Sequence, residues 1–428
     1  MTSGPTPTTP TPTEPTPPSP PIPPIPPSPT ETVFGPTFLQ NPYPAYDVLR
    51  TEAPVGRHVV KTLASEVNAW VVTRHEDVRA LLADPSLSKD ALGLPRIVER
   101  HALHPDGSAG SNPRSMLFSD PPDHTRLRRI VSKAFTMRRV ERMRPWIEQL
   151  ADDLVDEIVP GAEFDLMEQI ALAFPIYVIG ALLGVPAADF ADLRRWNGVL
   201  TSVEAGAAEK REAIGLSYAH LESVVAAKRS APADDLVSAL IEAEEDGDRL
   251  DGGELISSLF LLMNAGYETT ANLIGSGVLA LIQHPDQHRR LCDDPALLPG
   301  AVEELLRYES PLNLATIRYT TRPVQVGEVT IPADEIVFVS LCAANRDPAV
   351  FDRPDGLDVG RKKNQHLSFG HGIHHCIGAP LARLEGEVLF GRLLDRFQRW
   401  ELAVPAEHLV WRHSLQFRGL ASLPVRMS

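Results

Sequence analysis

One large, mainly α domain with a smaller β part is the fold class that this 428-residue sequence predicts. Three observations lead there. The middle of the chain carries apolar residues at helical spacing, short β-branched runs gather toward both ends, and neither an internal repeat nor strand–helix alternation is present. The spacing predicts helices from Val140 to Ile158, from Phe164 to Leu183 and from Glu254 to His284. Trp70-Val71-Val72-Thr73 and Glu335-Ile336-Val337-Phe338-Val339 read as strands, and Val329 to Asp334 as a strand end and turn.

Residues 1–33 stand apart. Prolines recur at almost every second or third position from Pro5 to Pro29, among Thr and Ser. Such a segment cannot bury a core, which predicts a disordered tail of polyproline II character. It reads as a linker first and as a PxxP docking segment second. The folded domain is expected over residues 34–428.

Charge and cysteine usage narrow the class. The balance of 41 Lys and Arg against 56 Asp and Glu gives −15, which argues against a nucleic-acid partner. Three cysteines without a pairing pattern indicate a reducing compartment. No apolar run of about 18 residues occurs, so no membrane span is expected, and the N-terminus lacks a secretory pattern. The expectation is a soluble, cytoplasmic monomer.

The chemistry concentrates in Phe369-Gly370-His371-Gly372-Ile373-His374-His375-Cys376-Ile377-Gly378. One thiol follows a glycine-rich turn and directly precedes a helix whose first turn would hold Pro380. Backbone N–H groups and the positive end of a helix favour a thiolate there. Gly370 and Gly372 would let the backbone approach a flat ligand and adopt φ values that a side chain forbids. A His/Cys cluster can also hold zinc, but zinc takes about four ligands, and Cys292 and Cys342 lie in unrelated contexts.

Ala265-Gly266-Tyr267-Glu268-Thr269-Thr270 places a glycine and two threonines inside the long predicted helix, where propensity disfavours them. Tight helix packing or a functional site would each account for that. Ala265 and Thr269 share a face at i,i+4, and a threonine hydroxyl can bond the carbonyl four residues back and open the helix. Glu304 and Arg307 pair at i,i+3 on another helix.

The Phe369-Gly370-x-Gly372-x-His374-x-Cys376-x-Gly378 pattern resembles the haem-ligand signature of the cytochrome P450 superfamily, with every fixed position filled. Residues 265–270 are similar to that family's oxygen-activation motif, although Tyr267 stands where many bacterial relatives have His. The likeness runs over residues 34–428 and is nearest to soluble actinobacterial enzymes that tailor natural products. It implies the cytochrome P450 fold and haem b, with Cys376 as the thiolate metal ligand and Phe369, Gly370, His374 and Gly378 around the cofactor.

The same resemblance implies roles for other residues. Thr269 and Glu268 would deliver protons for O–O cleavage, and Ala265 and Gly266 would leave room for dioxygen. His124 and Arg128, on a helix with Asp123 as N-cap, would contact the haem propionates together with Arg318. Glu304 and Arg307 would brace the fold behind the haem, with Arg353 as the third member. The substrate pocket would draw on residues 86–118 and 174–216, on Leu262, Ala265 and Thr269, and on Leu312, Asn313, Leu314, Leu415 and Gln416. A Gly/Pro/Ser-rich loop from Asp106 to Pro113 reads as a movable lid.

The implied activity is monooxygenation, in which one atom of O2 enters a small apolar substrate. A bulky macrolide- or polyketide-like molecule, hydroxylated or epoxidised, is the expected one. Electrons would come from a separate ferredoxin-type donor and its NAD(P)H reductase, because no flavin, NAD or iron–sulfur segment is evident. Oxidative coupling, peroxide-driven chemistry and non-catalytic haem binding are the alternatives. Eight cations between Arg126 and Arg144, opposed by Glu141 alone, are anomalous in an acidic chain. They read as a donor-docking patch contributed by Arg129, Lys133 and Arg138.

Overall fold

The computed structural model describes residues 33–61, 66–103, 115–202, 205–245 and 248–428. The expected proline-rich tail and the Asp106–Pro113 lid lie outside the described residues.

The β part is a sheet of five strands in the order Val55–Lys61, Glu66–Val72, Ile336–Val339, Arg318–Thr320 and Leu87–Ser88. Strand Ile336–Val339 runs parallel to Glu66–Val72, with Val337 level with Trp70; its other neighbour, Arg318–Thr320, is antiparallel. At the end of the sheet Ser88 pairs with Tyr319 and Leu87 with Thr320. One further step along that register brings Lys89 level with Arg318. Apolar side chains of the sheet pack against short helices from both chain ends, which makes two small cores beside the main helical one.

The helical part is organised around Gly252–Gln283, a helix of 32 residues. Its start is fixed by a capping box: Asp251 accepts from the Glu254 N–H at 2.8 Å, and Glu254 accepts from the Asp251 N–H at 3.0 Å. Its buried face packs against Ala173–Leu183 and Ala379–Arg396.

Three local expectations needed correction. The helix predicted from Val140 begins at Met137, because Thr136 caps it by accepting from the Arg139 N–H at 3.3 Å. The segment predicted as one helix from Phe164 to Leu183 is divided. Glu163–Asp165 forms a strand against Pro424–Met427, Met167–Ala171 is a π-helix, and an α-helix follows at Ala173–Leu183. Pro175 offers no N–H to Ala171, and the turn before it widens until the Leu172 N–H reaches the Met167 carbonyl at 2.9 Å. Asp123 is not an N-cap: the helix Asp123–Ala134 includes it, and Pro122 occupies the cap position.

Candidate active site

The cysteine loop is built by backbone bonds. The Gly370 N–H donates to the Leu367 carbonyl at 2.7 Å, His375 N–H to Gly372 at 3.0 Å, and Cys376 N–H to Phe369 at 2.9 Å. Gly370 and Gly372 have φ of 71° and 76°, the left-handed values expected of them. The close approach that Gly372 allows is to protein, however. A Cβ there would lie 2.9 Å from the Leu82 carbonyl oxygen and the Ala83 Cα, at the end of helix His75–Ala83. Pro380 falls in the first turn of Ala379–Arg396, as the sequence predicts.

Cys376 is exposed, yet protein is dense around it. Burial by that packing raises the thiol pKa, opposed by hydrogen bonds from the Gly378 and Ala379 N–H groups and by the charges of Arg128 and Arg383. Burial prevails, so the expected thiolate is not a property of the loop alone. Phe369 lies under the Arg383 guanidinium, 4.6 Å from its ring centroid.

Beside this loop lies a concentration of unpaired positive charge. His124 and His374 rings are 4.4 Å apart, and Arg128 donates to the His375 carbonyl at 2.6 Å. Lys89 is fully buried, and no protein group among the described residues accepts from its Nζ, from Arg318 Nη1, or pairs with either ring nitrogen of His124. Burial first, then the neighbouring cations Lys89, His124, Arg318 and Arg128, push the His374 pKa down to about 2. Burial lowers Arg318 to about 10, and burial together with Arg318 holds Lys89 well below its usual range. Asp120 is the acidic group that opposes the lowering at Lys89, His124 and Arg318. Unpartnered buried donors cost free energy until an anion meets them.

On the long helix, Ala265 is exposed although most of residues 255–281 are buried. Thr269 donates its hydroxyl to the Ala265 carbonyl at 2.8 Å, the bond that the spacing predicts. Glu268 is buried; its Oε1 accepts from Arg412 at 2.7 Å, and burial pushes its pKa up to about 7 against the pull of Arg412 and Lys210. Tyr267 points into the core, with its pKa raised to about 12 by burial. Gly266 packs toward Ile179 of Ala173–Leu183, 3.4 Å from where a Cβ would sit, so it serves a helix contact rather than the open face of Ala265.

The cytochrome P450 family matches residues 208–403. Cytochrome P450 107B1 of Saccharopolyspora erythraea is 46% identical over 396 residues, which is 92% of this chain and 96% of that protein. Vitamin D(3) 25-hydroxylase of Pseudonocardia autotrophica is 44% identical over 400 residues, 92% of this chain and 96% of its own. The solved structure of PksS, a cytochrome P450 of the Bacillus subtilis bacillaene polyketide synthase, superposes with a TM-score of 0.84 at 38% identity. That superposition covers 93% of this chain and all of the other.

The chain belongs to the cytochrome P450 family. Its cofactor is therefore haem with a cysteine thiolate as axial ligand, and its activity that of a P450 monooxygenase. The residues present in this P450 fit that group. Haem carries two propionates, and the partnerless donors of Lys89, His124 and Arg318 are what two buried carboxylates require. Zinc finds no such fit, since among the described residues no three His, Cys, Asp or Glu side chains converge as a metal site.

Behind the cysteine loop, Glu304 and Arg307 are fully buried and paired through two bonds of 2.8 Å. Arg307 also donates to the carbonyls of Asn345, Pro354 and Gly356. The third member of this network is Arg361, not Arg353. Arg361 Nε donates to Glu304 Oε2 at 2.9 Å, while Arg353 is exposed, with φ of 48°, and faces Asp352 and Asp358.

The expected pocket residues divide. Leu262, one turn before Ala265, is buried in the main helical core, and Leu312 is half-buried where its backbone bridges Phe417. Asn313 is only 2% exposed and spends its amide on structure: its Oδ1 accepts from Tyr46 at 2.6 Å, and its Nδ2 donates to the Leu415 carbonyl at 2.9 Å. A buried amide must satisfy both ends, so Asn313 is no pocket residue. Leu314 and Leu415 join the sheet-side core with Tyr46 and Phe338, and the Gln416 carbonyl accepts from the Asn313 N–H.

The basic run is also less uniform than it reads. Arg126 pairs with Glu254 and Asp248, Arg139 and Arg142 with Asp234, and Arg144 with Glu141 and Glu148. Arg129, Lys133 and Arg138 are exposed.

Sequence reading missed Lys89, Arg361 and Arg412. A lysine after the strand-like Leu87-Ser88 was the one available signal for the first. Nothing local marks an arginine that meets a glutamate 57 or 144 residues away.

Proposed function

We propose that Cys376 is the axial ligand, that Lys89, His124, Arg128, Arg318 and His374 hold the propionates, and that Thr269 and Glu268 form the proton-delivery pair. Bound haem supplies the oxygen-activating and oxygen-inserting chemistry. The observation that carries the reading is the Thr269–Ala265 bond beside an exposed Ala265, with the buried Glu268 next in sequence and its pKa pushed up to about 7 by that burial. A carboxyl near pKa 7 can give up a proton and regain it within the working pH range. The Thr269 hydroxyl, which donates to the Ala265 carbonyl, would pass that proton onward.

The substrate is a bulky apolar natural product of macrolide or polyketide type, hydroxylated or epoxidised. The vitamin D(3) 25-hydroxylase relative and the association of PksS with a polyketide synthase support a large apolar ligand. The exposed Ala265 would present an apolar surface to it. Substrates of this class should shift the haem spin state on titration, and turnover under labelled dioxygen should place one labelled atom in the product. Thr269→Ala should bind substrate as before but divert more than about half of its reducing equivalents to peroxide or water. Unchanged coupling in that variant overturns the relay role.

Electrons come from a ferredoxin-type donor with its own NAD(P)H reductase, received by a cytoplasmic monomer. Arg129 and Lys133 lie one helical turn apart, and with Arg138 they offer cations on exposed ground. Reversing all three charges should slow reduction by the donor at least tenfold at low salt and leave substrate affinity unchanged. Equal reduction rates would remove the patch from docking.

A further inference from the structure

Glu268, Asn272 and Ser276 occupy positions i, i+4 and i+8 of helix Gly252–Gln283, and so share one face with about 6 Å of rise between successive side chains. They are 2%, 1% and 2% exposed. Each carries a buried polar atom that no protein group meets among the described residues: Oε2 of Glu268, both amide atoms of Asn272, and Oγ of Ser276. Unpartnered polar atoms on three successive side chains along one face of a packed helix are unusual, since buried polar atoms are nearly always partnered.

The same face looks onto the C-terminal segment. Arg412 donates to Glu268 Oε1 and, through its other nitrogen, to the Thr201 carbonyl at 2.6 Å. Gly419 lies against Asn272 so closely that a Cβ would come within 1.9 Å of Oδ1. The Arg412 N–H donates to the Gly419 carbonyl at 2.9 Å, and Trp411 bridges Leu420, which holds this segment in register along the helix. At the far end Ser276 lines a cavity of about 80 Å³ with Gln283, Tyr308, Glu309 and Trp411. That is room for at least two waters, each with a liquid volume of about 30 Å³.

We infer that this seam is a water path that supplies protons to Glu268 from the cavity at Ser276, along the back of the long helix. Each 6 Å step suits one bridging water held by two hydrogen bonds of about 2.8 Å. The Ser276 hydroxyl both donates and accepts, so it can hand a proton on. Asn272 orients water through its amide without carrying charge. Arg412 is a positioning residue: it occupies Oε1 and leaves Oε2 as the acceptor. One proton enters from cavity water, arrives on Oε2, and departs toward Thr269, which restores the carboxylate. The path rests on the reading of Glu268 as proton donor.

The test is rapid mixing of the haem-loaded protein into D2O at about pH 6, following the C=O stretch of the protonated Glu268 carboxyl by difference infrared. Glu268→Gln assigns the band. Ser276→Val and Asn272→Leu should slow its deuteration at least tenfold, and Ser276→Thr should restore the wild-type rate. The same two variants should raise peroxide leakage during turnover. Should Glu268→Gln leave coupling unchanged, the donor reading fails and the path with it. Glu268→Gln uncoupling while Ser276→Val and Asn272→Leu deuterate at the wild-type rate overturns the path alone. Ser276→Ala gives the same readout if the valine variant does not fold.

Discussion

Arg307→Ala should lose about 3–5 kcal/mol of stability, the cost of breaking a buried ion pair by removing one partner. Glu304 would keep Arg361, Asn364 and the Asp358 N–H as partners. It would lose its two shortest bonds, and the carbonyls of Asn345, Pro354 and Gly356 would lose their shared donor. Asn345 ends helix Leu341–Asn345, and Pro354 and Gly356 lie in the irregular chain that follows toward the cysteine loop, so the loss reaches the haem site through backbone position. Arg307→Lys should recover little, because an ammonium cannot present the planar fork that meets Glu304 and three carbonyls at once. Urea unfolding of wild type and both variants would measure this. A loss below about 1 kcal/mol for Arg307→Ala would show the network to be dispensable.

Cys376→Ala should abolish monooxygenation while sparing the fold. The carbon monoxide complex of the reduced wild type should show the red-shifted absorption of a thiolate-ligated haem, and the variant should lack it. The Cys376 loop is held by backbone bonds that alanine retains. Lys89, His124, Arg128 and Arg318 stay in place, so some haem uptake should persist in the variant. A variant that kept both the thiolate spectrum and turnover would show the ligand to be another residue.

Much of this could be read from the chain. The cysteine loop is local: glycines with positive φ, a 3₁₀ turn and a proline in the next helix all leave marks within ten residues. Thr269 bonding four residues back is equally local, and so was visible. What stayed hidden depends on distant pairing. Arg353 was the expected brace because it lies near the right stretch, but chain geometry turns it outward and brings Arg361 to Glu304. Asn313 has the position of a pocket residue, yet Tyr46, from near the other end of the chain, claims its side chain. Gly266 fits the oxygen motif by spacing, and only the packing of Ile179 shows which way it faces.

The polar groups around His124 come from separate stretches of chain: Lys89 from a strand end, Arg318 from its neighbour strand, His124 and Arg128 from a helix, His374 from the cysteine loop. Before porphyrin arrives, folding must gather these groups against their mutual repulsion. A dianionic guest that binds only the native form stabilises it by mass action. Chains left without porphyrin should therefore unfold more readily than loaded ones and be the ones that proteases clear.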